Sequence, residues 1–245
     1  MDIPKIARPP ADLIERVRQV GAATASATLA HMGLRNCFIT GPVSWNKGKF
    51  VAGPAVTLQM MPKREDLIDE GEYADVEKQL HRHVLYQVEA GDMVVVDARG
   101  DMTSGIFGDM MMTYFKGRRG AGVVIDGCVR DFAKIQQLDI PIWVRGVTPN
   151  YHAQTNLMPY AVNVTVACGG VTVVPGDIIV ADDDGAVCVP VALAEEMTAK
   201  AHKDHGWEEF SRQKLLKGES LQRYYPLHKD AWPEYEAWLK QKAST

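Results

Sequence analysis

Hydrophobic spacing changes along the chain, and each spacing predicts a different element. Leu13, Ile14, Val17 and Val20 form a helical stripe after Pro9 and Pro10. A second short helix is predicted over TASATLAHM, with Thr24 as N-cap and Gly33 just past its end. FVAGPAVTLQM has strand character, broken at Gly53-Pro54. The stretch KREDLIDEGEYAD is acidic and poorly periodic, which predicts a surface excursion. It leads into VEKQLHRHVLYQV, where Val76, Leu80, Val84 and Val88 recur every four residues in a helix stopped by Gly91.

The middle of the chain is more regular. MVVVDA, GVVID and PIWVRG are apolar runs without alternation, separated by the predicted helices GDMMMTYFKGRRG and RDFAKIQQL. Such runs predict parallel strands covered on both faces. From Ala161 short strands joined by tight turns follow (VNVTVA, VTVV, IIVA, AVCVP), which predict antiparallel hairpins. A long helix is predicted over VALAEEMTAKAHKDHGWEEFSRQKLLKG, then an aromatic tail, LQRYYPLHKDAWPEYEAWL. There is no internal repeat and no low-complexity linker, so the expectation is one α/β domain over 1–218 and a C-terminal extension over 219–245.

Composition narrows the function class. The 245 residues are 46% hydrophobic and 24% charged, enough to bury a sizeable core. A net charge of -4 argues against a nucleic-acid partner, which normally needs a clustered basic face. No apolar run approaches the roughly 20 residues that cross a bilayer, and MDIPKIARPPADL lacks a signal-peptide apolar region. Cys37, Cys128, Cys168 and Cys188 lie far apart with no CxxC, which predicts buried thiols in a cytoplasmic protein.

Ligands of parallel α/β sheets collect outside the carboxyl ends of the strands. One predicted strand ends at Asp97-Ala98-Arg99-Gly100-Asp101, and the next helix opens with Gly108-Asp109-Met110-Met111. A second strand ends at Asp126-Gly127, followed by Arg130-Asp131. Acids, one arginine and a free helix N-terminus suit a small carboxylate held against Mg²⁺ or Mn²⁺. The competing reading makes Arg130-Asp131 an ordinary first helical turn, with Asp131 at the positive end of the dipole and Arg130 solvated.

Other features carry less. Asp182-Asp183-Asp184-Gly185 lies between two short strands and lacks the later glutamate of a calcium loop, so a hairpin turn is expected. His81 and His83 point to different faces of a helix, and His202 and His205 lack the HExxH pattern; solvated histidines are expected. Within Met110 to Met112 at least one side chain is expected in the core.

The runs GDMVVVDARGDMTSGIFGD, GAGVVIDGCVRD and VTVVPGDIIVADDDGAVCVP resemble the RraA-like superfamily across roughly residues 20 to 220. The most specific element is an Asp, twenty intervening residues, then Arg-Asp: here Asp109 and Arg130-Asp131. The enzymatic branch comprises class II pyruvate aldolases that cleave 4-hydroxy-4-methyl-2-oxoglutarate and 4-carboxy-4-hydroxy-2-oxoadipate and decarboxylate oxaloacetate. The resemblance implies a three-layer ββα swivelling domain with a parallel-strand core, assembled as homotrimers or homohexamers with sites between subunits. It implies that Asp131 binds Mg²⁺ or Mn²⁺ directly, Asp109 holds metal-bound water, and Arg130 grips the carboxylate and keto oxygen of a small 2-oxo acid. Gly108 and the backbone amides of Met110 and Met111 would complete the pyruvate site. An acid from a neighbouring subunit would be Glu208 or Glu209. Residues 62–78 look inserted and the tail after Gly218 is long, and both could reshape the pocket.

The expected activity is therefore a metal-dependent carbon–carbon lyase. Two rivals stand beside it. One is a non-catalytic ring restraining an endoribonuclease, a branch that by resemblance lacks an acid at the position of Asp109. The other is a lyase or isomerase using the same metal site on another hydroxy or sugar acid.

Overall fold

The computed structural model describes residues 3–66, 75–152 and 155–243, without the side chains of 204, 205 and 243. Residues 67–74, about half of the apparent insertion, lie outside the described residues. The chain divides into two compact units, residues 1–198 and 199–245, and position 218 falls inside the second.

In the first unit a mixed sheet runs in the order β1-β5-β4-β3-β2-β9-β10, with β6 also on β2. Its strands are β1 (Val43–Ser44), β2 (Val51–Pro62), β3 (Met93–Gly105), β4 (Gly122–Val129), β5 (Ile142–Val147), β6 (Leu157–Val162), β9 (Ile178–Asp182) and β10 (Gly185–Val189). The neighbours β2, β3, β4 and β5 pair in parallel, as the unalternating apolar runs require. The ends of the sheet curl toward each other: the Trp143 indole of β5 donates to the carbonyl of Asp182, and Phe38 bridges to Val187.

Each face of the parallel strands is buried against something different. Val94, Val96, Val123 and Ile125 pack with Leu80, Val84, Met112, Phe115 and Ile135 from the helices Leu80–Tyr86, Asp109–Gly117 and Phe132–Gln137. Their alternates, Met93, Val95 and Val124, pack with Trp143 and a small ribbon of β7 (Val166–Cys168) and β8 (Val171–Val173). Helices, main sheet and ribbon make the three layers of the expected ββα arrangement. All four cysteines are free and buried, as expected.

Several local expectations are corrected. β2 is not broken at Gly53-Pro54. It pairs with β9 through Pro54, and with β3 from Ala55. Proline, with no N–H, sits where the ladder changes partner. A Cβ on Gly53 would come 2.0 Å from the Gly91 carbonyl oxygen, so glycine is needed there. The second helix begins at Ala22 rather than after Thr24, because Gly21 turns the chain at φ +79 and the Asp182 carboxylate accepts from the Ala22 N–H at 2.9 Å. The acidic turn of Asp182 to Gly185 is thus a hairpin, and it caps a distant helix. The helix predicted over Val76 to Val88 is split: Gln79 is extended, and only Leu80–Tyr86 is α-helical. The long helix ends at His205 and restarts at Glu208.

The second unit has its own core. Trp207, Phe210, Tyr224, Leu227 and Ala231 are buried together, with Tyr235 and Trp238 packed against them. Several aromatic residues of the tail are consumed in this way.

Candidate active site

Strand β3 stays paired with β4 only irregularly beyond Val96, rejoining at Asp101 and Gly105. Backbone bonds then hold the next residues against the end of β4: Ile106 N–H donates to Cys128 O at 2.9 Å, and Arg130 N–H donates to Phe107 O at 3.0 Å. This zipper delivers Gly108 and the start of helix Asp109–Gly117 beside Arg130 and Asp131. The helix has no side-chain cap, so its first-turn N–H groups, including those of Met110 and Met111, are available to an anion.

Asp131 precedes helix Phe132–Gln137 in the left-handed region, at φ 58 and ψ 33, and its side chain makes no capping bond. Left-handed backbone is uncommon at non-glycine residues, and aspartate is among those that tolerate it. The carboxylate turns instead toward Arg130, Oδ2 lying 3.4 Å from Nε. Asp131 thus stands at the start of the helix, as the competing reading has it, but its carboxylate is directed to Arg130 rather than to the helix N–H groups. Gly108 makes the approach possible: a Cβ there would stand 2.8 Å from Asp131 Oδ2 and 3.0 Å from Arg130 Nε. Asp109, the next residue, has Oδ2 3.3 Å from Lys134 Nζ. Met112 is in the core while Met110 is 75% exposed, so one methionine of the three is structural and another faces outward.

A cavity of about 450 Å³ opens at this point, lined by Gly108, Met110, Met111 and Arg130. His81, His152, Arg82 and Tyr151 also line it. The Arg130 guanidinium lies 5.8 Å from the centre of the Tyr151 ring. His81 and His152 are 6% and 5% exposed, with ring centroids 4.1 Å apart. Burial, then the charge of Arg130 and of Lys63, lowers the His152 pKa to about 4. His81 lies well below the ordinary histidine value, from burial first and then from His152, Arg82 and His83.

The expectation of solvated histidines is thus wrong for His81 and holds for His202, which is exposed; the side chain of His205 lies outside the described residues. The signal for His81 was present. It sits three and four residues before Val84 and Leu85, on the stripe that packs into the core. His152, in a loop after β5, carried no such pattern.

The acids grouped together in the sequence separate in the fold. Asp97 and Asp126 point to the ribbon face, where they accept from the N–H groups of Ala167 and Gly169. Asp126 is also paired with Arg145, and burial pushes the Asp97 pKa up. Asp101 folds onto its own loop, accepting from Thr103 and Ser104. Gly108, Asp109, Met110, Met111, Arg130 and Asp131 are the candidates that come together. Glu208 and Glu209 open helix Glu208–Leu216 of the second unit, where Glu209 pairs with Lys242 at 2.5 Å.

Among the described residues no group of three or more His, Cys, Asp or Glu is gathered around a point. Two carboxylates flanking a glycine cradle fit a hard cation such as Mg²⁺, which is commonly bound through one or two carboxylates with water and substrate completing its shell.

Comparison with known proteins identifies the family. A family model described as Aldolase/RraA matches residues 12–188. The chain belongs to the RraA-like family. It is 35% identical over 164 residues to a Halalkalibacterium halodurans protein named "Putative 4-hydroxy-4-methyl-2-oxoglutarate aldolase", spanning 67% of this chain and 71% of that one. It is also 45% identical to Streptomyces coelicolor RraAS2, described as an unusual member of the RNase ES inhibitor RraA protein family. That match has a TM-score of 0.76 and covers 84% of this chain and 98% of the other. An uncharacterized Pseudomonas syringae protein, 24% identical with a TM-score of 0.77, shares the fold over 93% of this chain and 100% of its own. No described helix is long and apolar enough to cross a membrane.

Proposed function

We propose that this RraA-like protein is a carbon–carbon lyase dependent on Mg²⁺ or Mn²⁺, releasing pyruvate from a 4-hydroxy-2-oxo acid by retro-aldol cleavage and decarboxylating oxaloacetate. One observation carries the reading: the Asp131 carboxylate, unused as a helix cap, adjoins the Arg130 guanidinium across Gly108 and next to uncapped helix amides. A cation, when bound, would stabilise the negative charge that develops on the 2-oxo group.

The chain's own groups divide the remaining work. Arg130 binds the carboxylate and keto oxygen of the 2-oxo acid and favours the enolate as it forms. The N–H groups of Met110 and Met111, beside Gly108, hold the carboxylate at the positive end of the helix. Asp131 would hold the cation directly and Asp109 through water. In cleavage the C3–C4 bond breaks, its electron pair entering the enolate, while a base takes the 4-hydroxyl proton and C4 becomes a carbonyl; protonation of the enolate at C3 then gives pyruvate. Decarboxylation needs no such proton removal and is the less demanding reaction. We further propose a homotrimer or homohexamer, with Glu208 or Glu209 donated by a neighbouring subunit.

The 45% identity to RraAS2 favours a second reading, a regulator that binds a ribonuclease. Purified protein given oxaloacetate with Mg²⁺ or Mn²⁺ separates the two. Pyruvate release abolished by EDTA supports the lyase. No release with either cation, together with inhibition of a ribonuclease E-type enzyme, would establish the regulator.

A further inference from the structure

We propose that Tyr151 is a positioning residue for the lyase site: the face of its ring holds the Arg130 guanidinium in place for the 2-oxo acid. The inference rests on the preceding reading of Arg130. The guanidinium carbon lies over the Tyr151 ring, 5.8 Å from its centre, and both side chains line the cavity beside Gly108. The main chain sets this relation. Tyr151 forms a parallel bridge to Gly105, and the Gly105 N–H donates to Asn150 O at 3.1 Å. Thr148 N–H donates at 3.0 Å to the carbonyl of Val129, the residue before Arg130. Gly105 is pinched between the two segments: an added Cβ would stand 2.5 Å from Asn150 O and 2.9 Å from Arg130 Cβ. His152, which is buried, meets the Tyr151 ring at 90° with centroids 6.5 Å apart.

A ring face suits this task for a chemical reason. The Arg130 side chain is 40% exposed, and the carboxylate 3.4 Å from its Nε is that of Asp131, the group proposed to hold the cation. A carboxylate engaged by a cation attracts a guanidinium less, because the two positive charges share it and repel each other. A further carboxylate or carbonyl beside Arg130 would restrain it only by occupying N–H groups that the substrate needs. An aromatic face attracts the guanidinium through the ring quadrupole and takes none of its N–H donors. Arg130 is thus steadied with its donors left for the carboxylate and keto oxygen. Tyr151 is itself 43% exposed and adds little to the core, so its loss should show in anion binding rather than in the melting temperature.

The test titrates pyruvate by calorimetry into the full chain with Mg²⁺. Tyr151→Phe keeps the ring face and should bind pyruvate within about twofold of wild type. Tyr151→Leu removes the face, and replacement of Tyr151 by pentafluorophenylalanine keeps a ring of similar shape while reversing the charge of its face. Each should bind pyruvate roughly fivefold more weakly, the scale of one partly exposed cation–π contact. Mn²⁺ affinity and the melting temperature should be unchanged throughout, because Asp131 and the core are untouched. If Tyr151→Leu does not fold, the phenylalanine and its fluorinated counterpart supply the comparison. A fluorinated ring that binds pyruvate as well as Tyr151→Phe does would overturn the assignment and leave Tyr151 a passive wall. Tyr151→Phe binding as weakly as Tyr151→Leu would also overturn it, in favour of the hydroxyl. Both outcomes leave the Arg130 reading intact. Pyruvate that fails to bind wild-type protein, or binds Arg130→Ala equally well, overturns the Arg130 reading and this inference with it.

Discussion

The carboxylate of Asp131 stands where a side chain on Gly108 would have to go: an added Cβ would lie 2.8 Å from its Oδ2. Gly108 has ordinary extended backbone at φ -109, so alanine is conformationally acceptable there. The groups it would displace are the ends of two flexible side chains, not backbone. Gly108→Ala should therefore leave the melting temperature nearly unchanged while displacing Asp131 and Arg130. A misplacement approaching 1 Å costs on the order of 10²-fold in rate. Paired thermal melts and oxaloacetate kinetics check this, and full activity in the variant would show that the close approach has no functional meaning.

Asp131→Asn keeps the size and the tolerance of left-handed backbone but removes the charge. Because the side chain makes no capping bond, stability should change little. Metal affinity should fall by at least the 10–100-fold typical of lost supporting contacts. Mn²⁺ titration followed by paramagnetic relaxation measures this without reference to turnover.

Arg130→Lys retains the charge and loses the planar two-pronged donor. If Arg130 grips both the carboxylate and the forming enolate, kcat on oxaloacetate should drop by roughly 10²–10³, the scale of one lost oxyanion contact. Mn²⁺ binding and the melting temperature should persist. A variant within about twofold of wild type, far short of that loss, would return Arg130 to an ordinary solvated role.

The buried histidines also predict a pH dependence of stability. His152 titrates at about 4 when folded, against an ordinary value of 6.5, so the unfolded chain binds more protons between those limits. Its contribution is complete above about pH 6.5 and is lost as pH falls through 4, amounting to about 3 kcal/mol at 1.36 kcal/mol per pKa unit. The groups bearing on the pair are Arg82, His83, Lys63 and Arg130, with burial the first cause for both rings. Melting temperatures measured from pH 8 to pH 4 should fall most steeply below 6.5, and His152→Gln should flatten that slope. An equal slope in the variant would place the acid sensitivity elsewhere.

Much of the fold is written in local pattern. Val94, Val95 and Val96 have no polar alternate, and that alone determines a strand covered on both faces, hence parallel neighbours. The hairpin at Asp182 to Gly185 follows from its turn residues, and the Asp109 to Arg130-Asp131 spacing follows from one strand placed after one helix. What periodicity records is which face of an element is buried; it does not say what lies opposite. Packing across the sheet decided that Asp97 and Asp126 turn to the ribbon while Asp131 turns to Gly108. It also decided that Ala22 is capped by Asp182 rather than by Thr24, from 160 positions away. His81 and His152 meet for the same reason: one comes from a helix stripe and the other from a loop, and only the closed core brings their rings together. Local spacing is set by neighbours in the chain, whereas the partner of a buried polar group is whichever distant residue the packed layers leave beside it.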